Sequence, residues 1–339
     1  MTQAEVERFA TDLAALDPPR ARLGEGDYAQ HRGGESSSFD PCSPRPNLGL
    51  AISGGPDSLA LLLLAHAARP GKIEAATVDH RLRPSARAEC EAVATLCATL
   101  AVPHTILTAR WAVLPTANLQ AEARVERYAL LADWATSRAL ATVATAHHAD
   151  DQAETLLMRL ARGSGVGGLA GTRPSRPLTA TIPLIRPLLG WRKAELEAIV
   201  SAAGLAPAND PANRDPRHDR TRVRAMLANL APDAAPRLAA SAAWLREADE
   251  ALDWSLVRLD RIRRDGDTLR LDPTDLPREF QRRLLLAAFA TLAAPAPRGP
   301  DLARAIAALA RGDTVTLGPL KLSGGAQWHI SLAPPRTPR

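Results

Sequence analysis

Residues 48–64, LGLAISGGPDSLALLLL, contain two apolar runs that are separated by a short polar turn. The first run has the length of a buried β-strand, and the second continues as a buried helix. Gly54 and Gly55 permit positive φ angles and let a ligand approach the backbone, and Pro56 suits the first turn of a helix. The stretch therefore predicts a strand, a tight turn and a helix whose free N–H groups favour an anion.

The turn itself, SGGPDS at 53–58, places side-chain ligands around that anion site. Ser53 and Ser58 bracket it with hydroxyl groups, and Asp57 supplies a carboxylate that can hold a cation. The turn has no lysine, so it is not the GxxxxGK[ST] phosphate loop, and it does not have the GxGxxG dinucleotide pattern. We expect a phosphate site of another class; a glycine-rich turn without a ligand is the alternative.

Length and composition set the broad class. A chain of 339 residues predicts two domains. Its net charge of +5 is compatible with a polyanionic partner but favours nucleic acid only weakly. Three cysteines without a CxxC pair argue against a disulfide framework and a cysteine-rich zinc site. Without a signal peptide or an apolar span of about 18 residues, a cytoplasmic protein with no membrane partner is expected.

Strand-like and helix-like runs alternate beyond this stretch. The predicted strands are Ile73–Asp79, His104–Thr108, Ala141–Ala146 and Thr181–Ile185. The predicted helices between them are Ala86–Leu100, Gln120–Ser137 and Asp151–Ala161. This alternation predicts an α/β, Rossmann-like fold with a parallel sheet. Because ligands bind at the carboxyl ends of such strands, the loops that follow them are expected to converge on one site.

The composition divides the chain into three parts. Residues 1–46 hold a helix and then a loose segment rich in Gly, Ser and Pro. Residues 47–230 form the α/β domain, and residues 231–339 form a smaller, mostly helical domain that ends in short strands. Those strands are predicted at Thr314–Leu317, Leu320–Leu322 and Trp328–Leu332. The last domain is either a supporting surface for a large partner or a structural appendage.

Two segments carry polar residues near the expected site. Asp79 and His80 follow a predicted strand, and their loop either faces a nucleotide base and ribose or is an exposed basic turn. Arg124, Arg127 and Tyr128 share one face of a predicted helix. This basic, aromatic stripe can meet a phosphate or a nucleobase, and an ordinary exposed helix is the alternative.

The segment HHADDQAET, residues 147–155, gathers three carboxylates after another predicted strand. Acids at a helix start are often caps, but Asp150 and Glu154 lie one turn apart on the same face, with Asp151 beside them. At the mouth of a nucleotide site such a cluster needs Mg²⁺ or an ammonium group as its partner. We favour that interpretation over simple capping.

The densest basic stretch is RHDRTRVR at 217–224. Arg220 and Arg224 are four residues apart and share a helix face, and Arg222 lies between them. These arginines are candidate phosphate contacts. A helix start whose charge is balanced by nearby aspartates is the alternative.

Six motifs, in order, resemble those of the tRNA(Ile)-lysidine synthetases, a family of the PP-loop ATP pyrophosphatases. They are SGGPDS (53–58), VDHRLRPSA (78–86), EARVERY (122–128), HHADDQAET (147–155), MRLARGSGVGGL (158–169), and DPANRD with RTRVR (210–224). SGGPDS alone marks only the superfamily, whereas HHADDQAET and the RGSG that follows it are far more specific. The resemblance implies a PP-loop domain of the adenine nucleotide alpha hydrolase type over residues 47–230.

The resemblance also implies a reaction. The family ligates free L-lysine to C2 of the wobble cytidine in the CAU-anticodon tRNA(Ile), through an adenylylated cytidine, and releases AMP and diphosphate from ATP. ATP would be held by Ser53, Gly54, Gly55, Pro56, Asp57, Ser58, Asp79 and His80. Asp57 would also hold Mg²⁺. The catalytic acids would be Asp57, Asp150, Asp151 and Glu154. The tRNA or the intermediate would be held by Arg124, Arg127, Arg220, Arg222 and Arg224.

Two other functions remain open on the sequence. One is another PP-loop enzyme, such as an NAD- or GMP-synthesising amidotransferase or a thiolase, but no ammonia source or sulfur-carrying cysteine pair is visible. The other is a non-catalytic RNA-binding module with a vestigial nucleotide pocket. The intact SGGPDS turn and the acidic cluster argue against the second.

Overall fold

The chain divides into two compact units, Met1–Trp244 and Leu245–Arg339. The computed structural model describes residues 1–16, 47–82, 86–111, 119–206, 219–231 and 233–334. The loose segment predicted in the N-terminal part, the DPANRD motif and the start of RHDRTRVR lie outside the described residues.

Helices and strands alternate along the first unit, as predicted. Their bounds are α1 Gln3–Leu16, β1 Leu48–Ala51, α2 Pro56–Ala68, β2 Ile73–Asp79, α3 Ala86–Thr99, β3 His104–Thr108, α4 Leu119–Ser137, β4 Thr142–Ala144, α5 Ala149–Ala161, α6 Val166–Leu169, β5 Ser175–Pro177, β6 Pro183–Ile185, α7 Lys193–Ala202 and α8 Asp219–Ala228. Helix α9, Ala234–Leu259, includes the boundary between the units. The predictions for β2 and β3 are confirmed at both ends, whereas β4 and β6 are shorter than predicted.

Strand β1 lies in the middle of a six-stranded sheet of order β3-β2-β1-β4-β6-β5. It pairs in parallel with β2 on one side, Leu48 opposite Ile73, and with β4 on the other, Leu48 opposite Thr142. Only the edge strand β5 runs antiparallel to its neighbour among the described strands. The direction of winding therefore changes between β1 and β4, which is where open α/β sheets bind their ligands.

Burial on both faces explains why β1 and α2 are almost wholly apolar. All four residues of β1 are buried, and α1 and α7 pack on α2 with side chains such as Phe9 and Ile199. On the opposite face of the sheet, Trp134 of α4 packs closely on Gly49. A Cβ atom at Gly49 would lie 2.7 Å from Leu140 Cδ1 and 3.0 Å from the Trp134 ring, so a larger residue here would force these side chains to shift.

The second unit is built on a five-stranded antiparallel sheet of order β7-β8-β11-β10-β9. Its elements are β7 Ile262–Asp265, β8 Thr268–Leu271, α10 Arg278–Thr291, α11 Gly299–Ala310, β9 Thr314–Leu317, β10 Leu320–Ser323 and β11 Trp328–Leu332. The three C-terminal strands confirm the prediction, but the β7-β8 hairpin was not predicted. Its turn residue Gly266 has a φ of 58°, and Asp265-Gly266 is a recognised hairpin signal.

A buried ionic network joins α9 to α10 within the second unit. Arg283, 5% exposed, donates to Asp249 and Asp253 of α9, each at 2.5 Å, and to Glu279 at 2.8 Å. Asp249 is equally buried. Removing one partner of such a network leaves an uncompensated buried charge.

Replacing Arg283 by Met is expected to destabilise the protein by about 3–5 kcal/mol, because the Asp249 carboxylate stays buried without its guanidinium partner. Urea unfolding of the full chain, followed by circular dichroism, measures this. The matched control is Arg282→Met: Arg282 is more exposed and bonds only Glu279 among the side chains described, so its loss should cost about 1 kcal/mol or less. Equal effects of the two variants would contradict a structural role for Arg283.

No helix of the described ranges is both long enough and apolar enough to cross a membrane.

Candidate active site

The turn after β1 is held in shape by one buried hydroxyl. Ser58 Oγ accepts bonds from the Ser53 N–H at 3.1 Å and the Ser53 hydroxyl at 3.2 Å, and it donates to the Gly55 carbonyl at 2.9 Å. Gly54 has a φ of 84°, which favours glycine. Ser58 is buried and Ser53 is exposed. Ser58 therefore shapes the turn, whereas the Ser53 side chain is accessible from outside it.

A cavity of about 590 Å³ opens beside this turn, between the ends of β1 and β2 and helices α3 and α4. Its volume is in the range of small-molecule sites. Among the residues that line it are Ser53, Gly55, Asp57, His80, Cys90 and Arg127. Four of the predicted nucleotide contacts, Ser53, Gly55, Pro56 and His80, thus share a cavity with Asp57 and with an arginine predicted to contact tRNA.

Asp79 and His80 take different positions at the end of β2. Asp79 is buried, and its Oδ1 accepts a bond from the N–H of Arg81 at 2.9 Å, which stabilises a loop where Arg81 has a φ of 55°. His80 lines the cavity, and its carbonyl accepts a bond from Trp111 Nε1 at 2.7 Å. Burial, and then the charge of Arg127, lower the pKa of His80, so its ring is neutral near pH 7.

His148, which follows β4, lies at the centre of the predicted acidic cluster. Its Nε2 is 3.5 Å from both Asp57 Oδ2 and Asp151 Oδ2, and its Nδ1 is 3.5 Å from Asp150 Oδ2. Burial opposes protonation, but the nearby carboxylates of Asp150, Asp57 and Asp151 raise the pKa of His148 to about 10. One imidazolium therefore joins the turn after β1 to the loop after β4.

The carboxylates of these aspartates differ in their further partners. Asp150 Oδ2 accepts a bond from the backbone N–H of Lys193 at 2.8 Å, at the start of α7. Asp151 Oδ2 accepts a bond from the N–H of His148 at 3.2 Å. Asp57 Oδ1 is buried and has no hydrogen-bond partner among the residues described. Asp57 and Asp150 are also the more exposed acids, with side chains 29% and 31% accessible, against 16% for Asp151.

Glu154 is neutralised by the basic helix α8. Its carboxylate, only 3% exposed, accepts bonds from Arg220 Nε at 2.5 Å and from Arg224 Nε at 2.7 Å. Arg220 also donates to Asp151 Oδ1 at 2.5 Å. Arg222 is exposed on the same helix, two residues from each of them. The structure thus brings the acidic motif and the basic motif together, in contact with each other.

Arg124, Arg127 and Tyr128 of α4 lie near the end of β4 together with His147. Arg124 Cζ is 5.0 Å from the centroid of the Tyr128 ring. Thr145 Oγ1 is 3.0 Å from His147 Nδ1. Burial first, and then the charges of Arg186, Arg124, Arg127 and Arg220, lower the pKa of His147 to about 2. The two adjacent histidines are therefore in opposite electrostatic surroundings.

The site includes residues that the sequence did not single out. His148 belongs to the HHADDQAET motif, but its central place depends on Asp57, which comes from another loop. Arg176 and Arg186 stand near Tyr128 and were assigned no chemistry. The sequence did contain a reason to expect Arg186 near the site. It directly follows the predicted strand that ends at Ile185, and ligands bind at the carboxyl ends of such strands.

The donor set for a metal ion is small. The described ranges hold no group of three or more His, Cys, Asp or Glu side chains arranged to bind one. Asp57 nevertheless offers a buried carboxylate oxygen without a protein partner at the mouth of the phosphate turn. This fits Mg²⁺, which proteins often bind through one or two carboxylates while substrate phosphates and water complete its shell.

Comparison with known proteins agrees with this geometry. Residues 35–231 match the family of PP-loop domains, so fold and site define a PP-loop ATP-binding protein. A tRNA(Ile)-lysidine synthase of Zymomonas mobilis is 44% identical over 295 residues, 85% of this chain and 89% of the relative. One of Novosphingobium aromaticivorans is 44% identical over 323 residues, 92% and 97% of the two chains. The chain belongs to the tRNA(Ile)-lysidine synthase family, whose members are ligases.

A solved structure shares the fold. The U34-tRNA thiolase NcsA from Methanococcus maripaludis has a TM-score of 0.50 and 18% identity, over 60% of this chain and 72% of the thiolase. The predicted fold class, family, enzyme class and use of ATP are therefore confirmed.

The two histidines should titrate in opposite directions. In nitrogen-15 NMR spectra of the ligand-free protein, His147 is expected to stay neutral down to about pH 4, and His148 to stay doubly protonated at pH 8. Spectra of His147→Gln and His148→Gln assign the signals. Because the pKa of His148 is raised on folding, its stabilising contribution is complete below about pH 6.5 and is lost as the pH rises through about 10. Titration of both rings near pH 6.5 would contradict the described contacts.

Proposed function

We propose that this chain ligates free L-lysine to C2 of the wobble cytidine of the CAU-anticodon tRNA(Ile), through an adenylylated cytidine, with release of AMP and diphosphate. The names of its relatives support the substrates. The observation that supports the mechanism is the contact of His148 with both Asp57 and Asp150, because the SGGPDS turn and a half-buried carboxylate then lie at one crevice. ATP would enter from the adjoining cavity.

In the first step, the cytosine O2 attacks the α-phosphorus of ATP, and the bond to the bridging oxygen of the diphosphate breaks. The N–H groups at the start of α2 and the Ser53 hydroxyl would bind the departing diphosphate and stabilise its growing charge. Bound at Asp57, Mg²⁺ would neutralise further phosphate charge. His80, which is neutral and lines the cavity, would contact the base or ribose.

In the second step, the lysine ammonium group first loses a proton to water, and the neutral amine attacks C2. The bond from C2 to the oxygen of AMP then breaks, and the new C2–N group loses a second proton to water. Asp150 would hold the incoming ammonium group. Burial alone would raise the pKa of Asp150, but the contact with His148 and the bond from the Lys193 N–H lower it. Asp150 is therefore ionised and a weak base, so it would bind and orient the ammonium group and leave its proton to water. No nucleophile from the enzyme is needed.

We assign Asp151 and Glu154 a different part from Asp150. Their carboxylates are already bonded to Arg220 and Arg224, so they would position these arginines toward RNA or the intermediate. Arg222, exposed on the same helix, would contact tRNA, as would Arg124 and Arg127 of α4.

We further propose that residues 47–230 carry the chemistry and residues 231–339 support the tRNA. The second compact unit, Leu245–Arg339, contains none of the proposed site residues. This division leaves the anticodon contacts to the first unit.

Replacing Asp57 by Ala is expected to abolish lysine-dependent AMP release in the presence of the tRNA, because its carboxylate is proposed to hold Mg²⁺ on the phosphates. The matched control is Asp133→Asn, an exposed aspartate on α4 that should leave turnover unchanged. Circular dichroism checks that both variants fold. Unchanged turnover of the Asp57 variant would refute the assignment of the turn.

The same assay separates the rival functions. With the wild-type protein, AMP release should require both lysine and tRNA. Release with ammonia in place of lysine would favour an amidotransferase of the NAD-synthesising kind. Binding of tRNA without any ATP turnover would favour a non-catalytic RNA-binding module.

Asp150→Asn and Glu154→Gln should affect different substrates. The Asp150 variant is expected to raise the KM for lysine about tenfold or more, because it removes the charge partner of the ammonium, while the KM for tRNA changes little. The Glu154 variant should chiefly raise the KM for tRNA, because Arg220 and Arg224 lose their common anchor. Steady-state kinetics with each substrate varied in turn measures both. A reversed pattern would contradict the division of roles.

A further inference from the structure

A second group of positive charges surrounds Tyr128, and it includes arginines from the β5-β6 side of the sheet. Arg176 of β5 has its Cζ 4.2 Å from the centroid of the Tyr128 ring, and Arg124 Cζ is 5.0 Å from the same centroid. Arg186, at the end of β6, is only 2% exposed. Burial would raise the pKa of the Tyr128 phenol, but Arg124, Arg127, Arg176 and Arg186 together lower it.

The buried guanidinium is only partly satisfied. Arg186 Nη1 donates to the carbonyl of Arg173 at 2.5 Å, while Arg186 Nε is buried and has no hydrogen-bond partner within the described ranges. Arg176 donates to the neighbouring carbonyl of Pro177, at 3.2 Å. A buried N–H group without a partner is costly, and its presence in a native structure calls for an explanation such as a role in function.

These cations also lack anions. No carboxylate forms an ion pair with Arg124, Arg127, Arg176 or Arg186 in the part of the chain that the structure describes. Elsewhere in the same unit, Arg138 and Arg220 each have a carboxylate partner at 2.8 Å or less. Positive charges that are gathered and left uncompensated favour an anionic ligand.

The topology decides between two phosphate sources. The diphosphate of ATP belongs at the turn after β1. Arg176 and Arg186 come from β5 and β6, on the far side of β4 in the strand order β1-β4-β6-β5. A tyrosine ring flanked by guanidinium groups is also typical of surfaces that bind unstacked RNA.

We propose that Arg176 and Arg186, with Tyr128 between α4 and the sheet edge, form a site for a backbone phosphodiester of the substrate RNA next to the base that is modified. The inference rests on the proposed function for the identity of the RNA. Arg176 contacts the phosphate. The buried Arg186 fixes the position of the Tyr128 phenol and supplies a positive charge behind it. The site holds the strand while the target base enters the crevice beside β4.

The test measures binding of an unmodified CAU-anticodon tRNA(Ile) transcript over a range of salt concentrations, with neither ATP nor lysine present. Arg176→Gln is expected to weaken binding about tenfold and to reduce the slope of log K against log[salt] by about 0.7–0.9, the value for one lost phosphate contact. Arg176→Lys keeps the charge and should keep the wild-type slope. Lys72→Gln, at the amino end of β2, removes one exposed charge as a control and should change neither quantity.

Arg186→Gln should weaken RNA binding as well, and thermal unfolding shows whether this buried variant still folds. Should it fail to fold, the partly exposed Arg176 variants decide alone. An unchanged affinity and salt slope for Arg176→Gln would overturn the proposal. So would a raised KM for ATP with an unchanged KM for tRNA, because the site would then belong to the diphosphate.

These experiments distinguish a failure of the phosphodiester site from a failure of the proposed ligation. If the wild-type protein makes no lysidine but Arg176→Gln weakens RNA binding and lowers the salt slope, the ligation is wrong and the phosphodiester site stands. If lysidine forms normally and Arg176→Gln behaves like Lys72→Gln, the site is wrong and the ligation stands.

Discussion

The parallel pairing of β1 with β2 on one side and β4 on the other is the constraint on which the rest of the structure depends. It fixes the carboxyl ends of β1 and β4 as neighbours at the point where the winding reverses. The turn after β1 is the proposed phosphate site, and the loop after β4 brings the acids. The buried apolar faces of β1 and α2 hold the two elements in the core, and Trp134 packs closely on Gly49.

Charge compensation then divides the crevice into regions with different chemistry. His148 balances Asp57 and Asp150, and Arg220 and Arg224 balance Glu154, so most charges near the crevice have a partner before any substrate binds. Such prior pairing reduces the reorganisation that binding requires. The groups expected to contact substrate are those that lack a hydrogen-bond partner or a carboxylate partner among the described residues. They are, respectively, the Oδ1 atom of Asp57 and the arginines near Tyr128.

The sequence predicted the fold well where local pattern determines structure. Ile73–Asp79 and His104–Thr108 are strands as predicted, because their apolar runs are bounded by turn residues. The β7-β8 hairpin was missed because Arg263 and Arg264 give the first strand a charged pattern, despite the Asp265-Gly266 signal. The site was less predictable. Glu154 pairs with Arg220 and Arg224 of α8, which follow it in the sequence by 66 and 70 residues, and no local pattern encodes such distant contacts.

The central claim is that ATP at the end of β1 and an amine at the end of β4 meet on one cytidine. Mass spectrometry of the nucleosides from a CAU-anticodon tRNA(Ile), after incubation with the protein, ATP and lysine, tests it most directly. The account predicts lysidine in place of the wobble cytidine only when ATP and lysine are both present. An unmodified wobble cytidine, although the protein is folded and hydrolyses ATP, would contradict it.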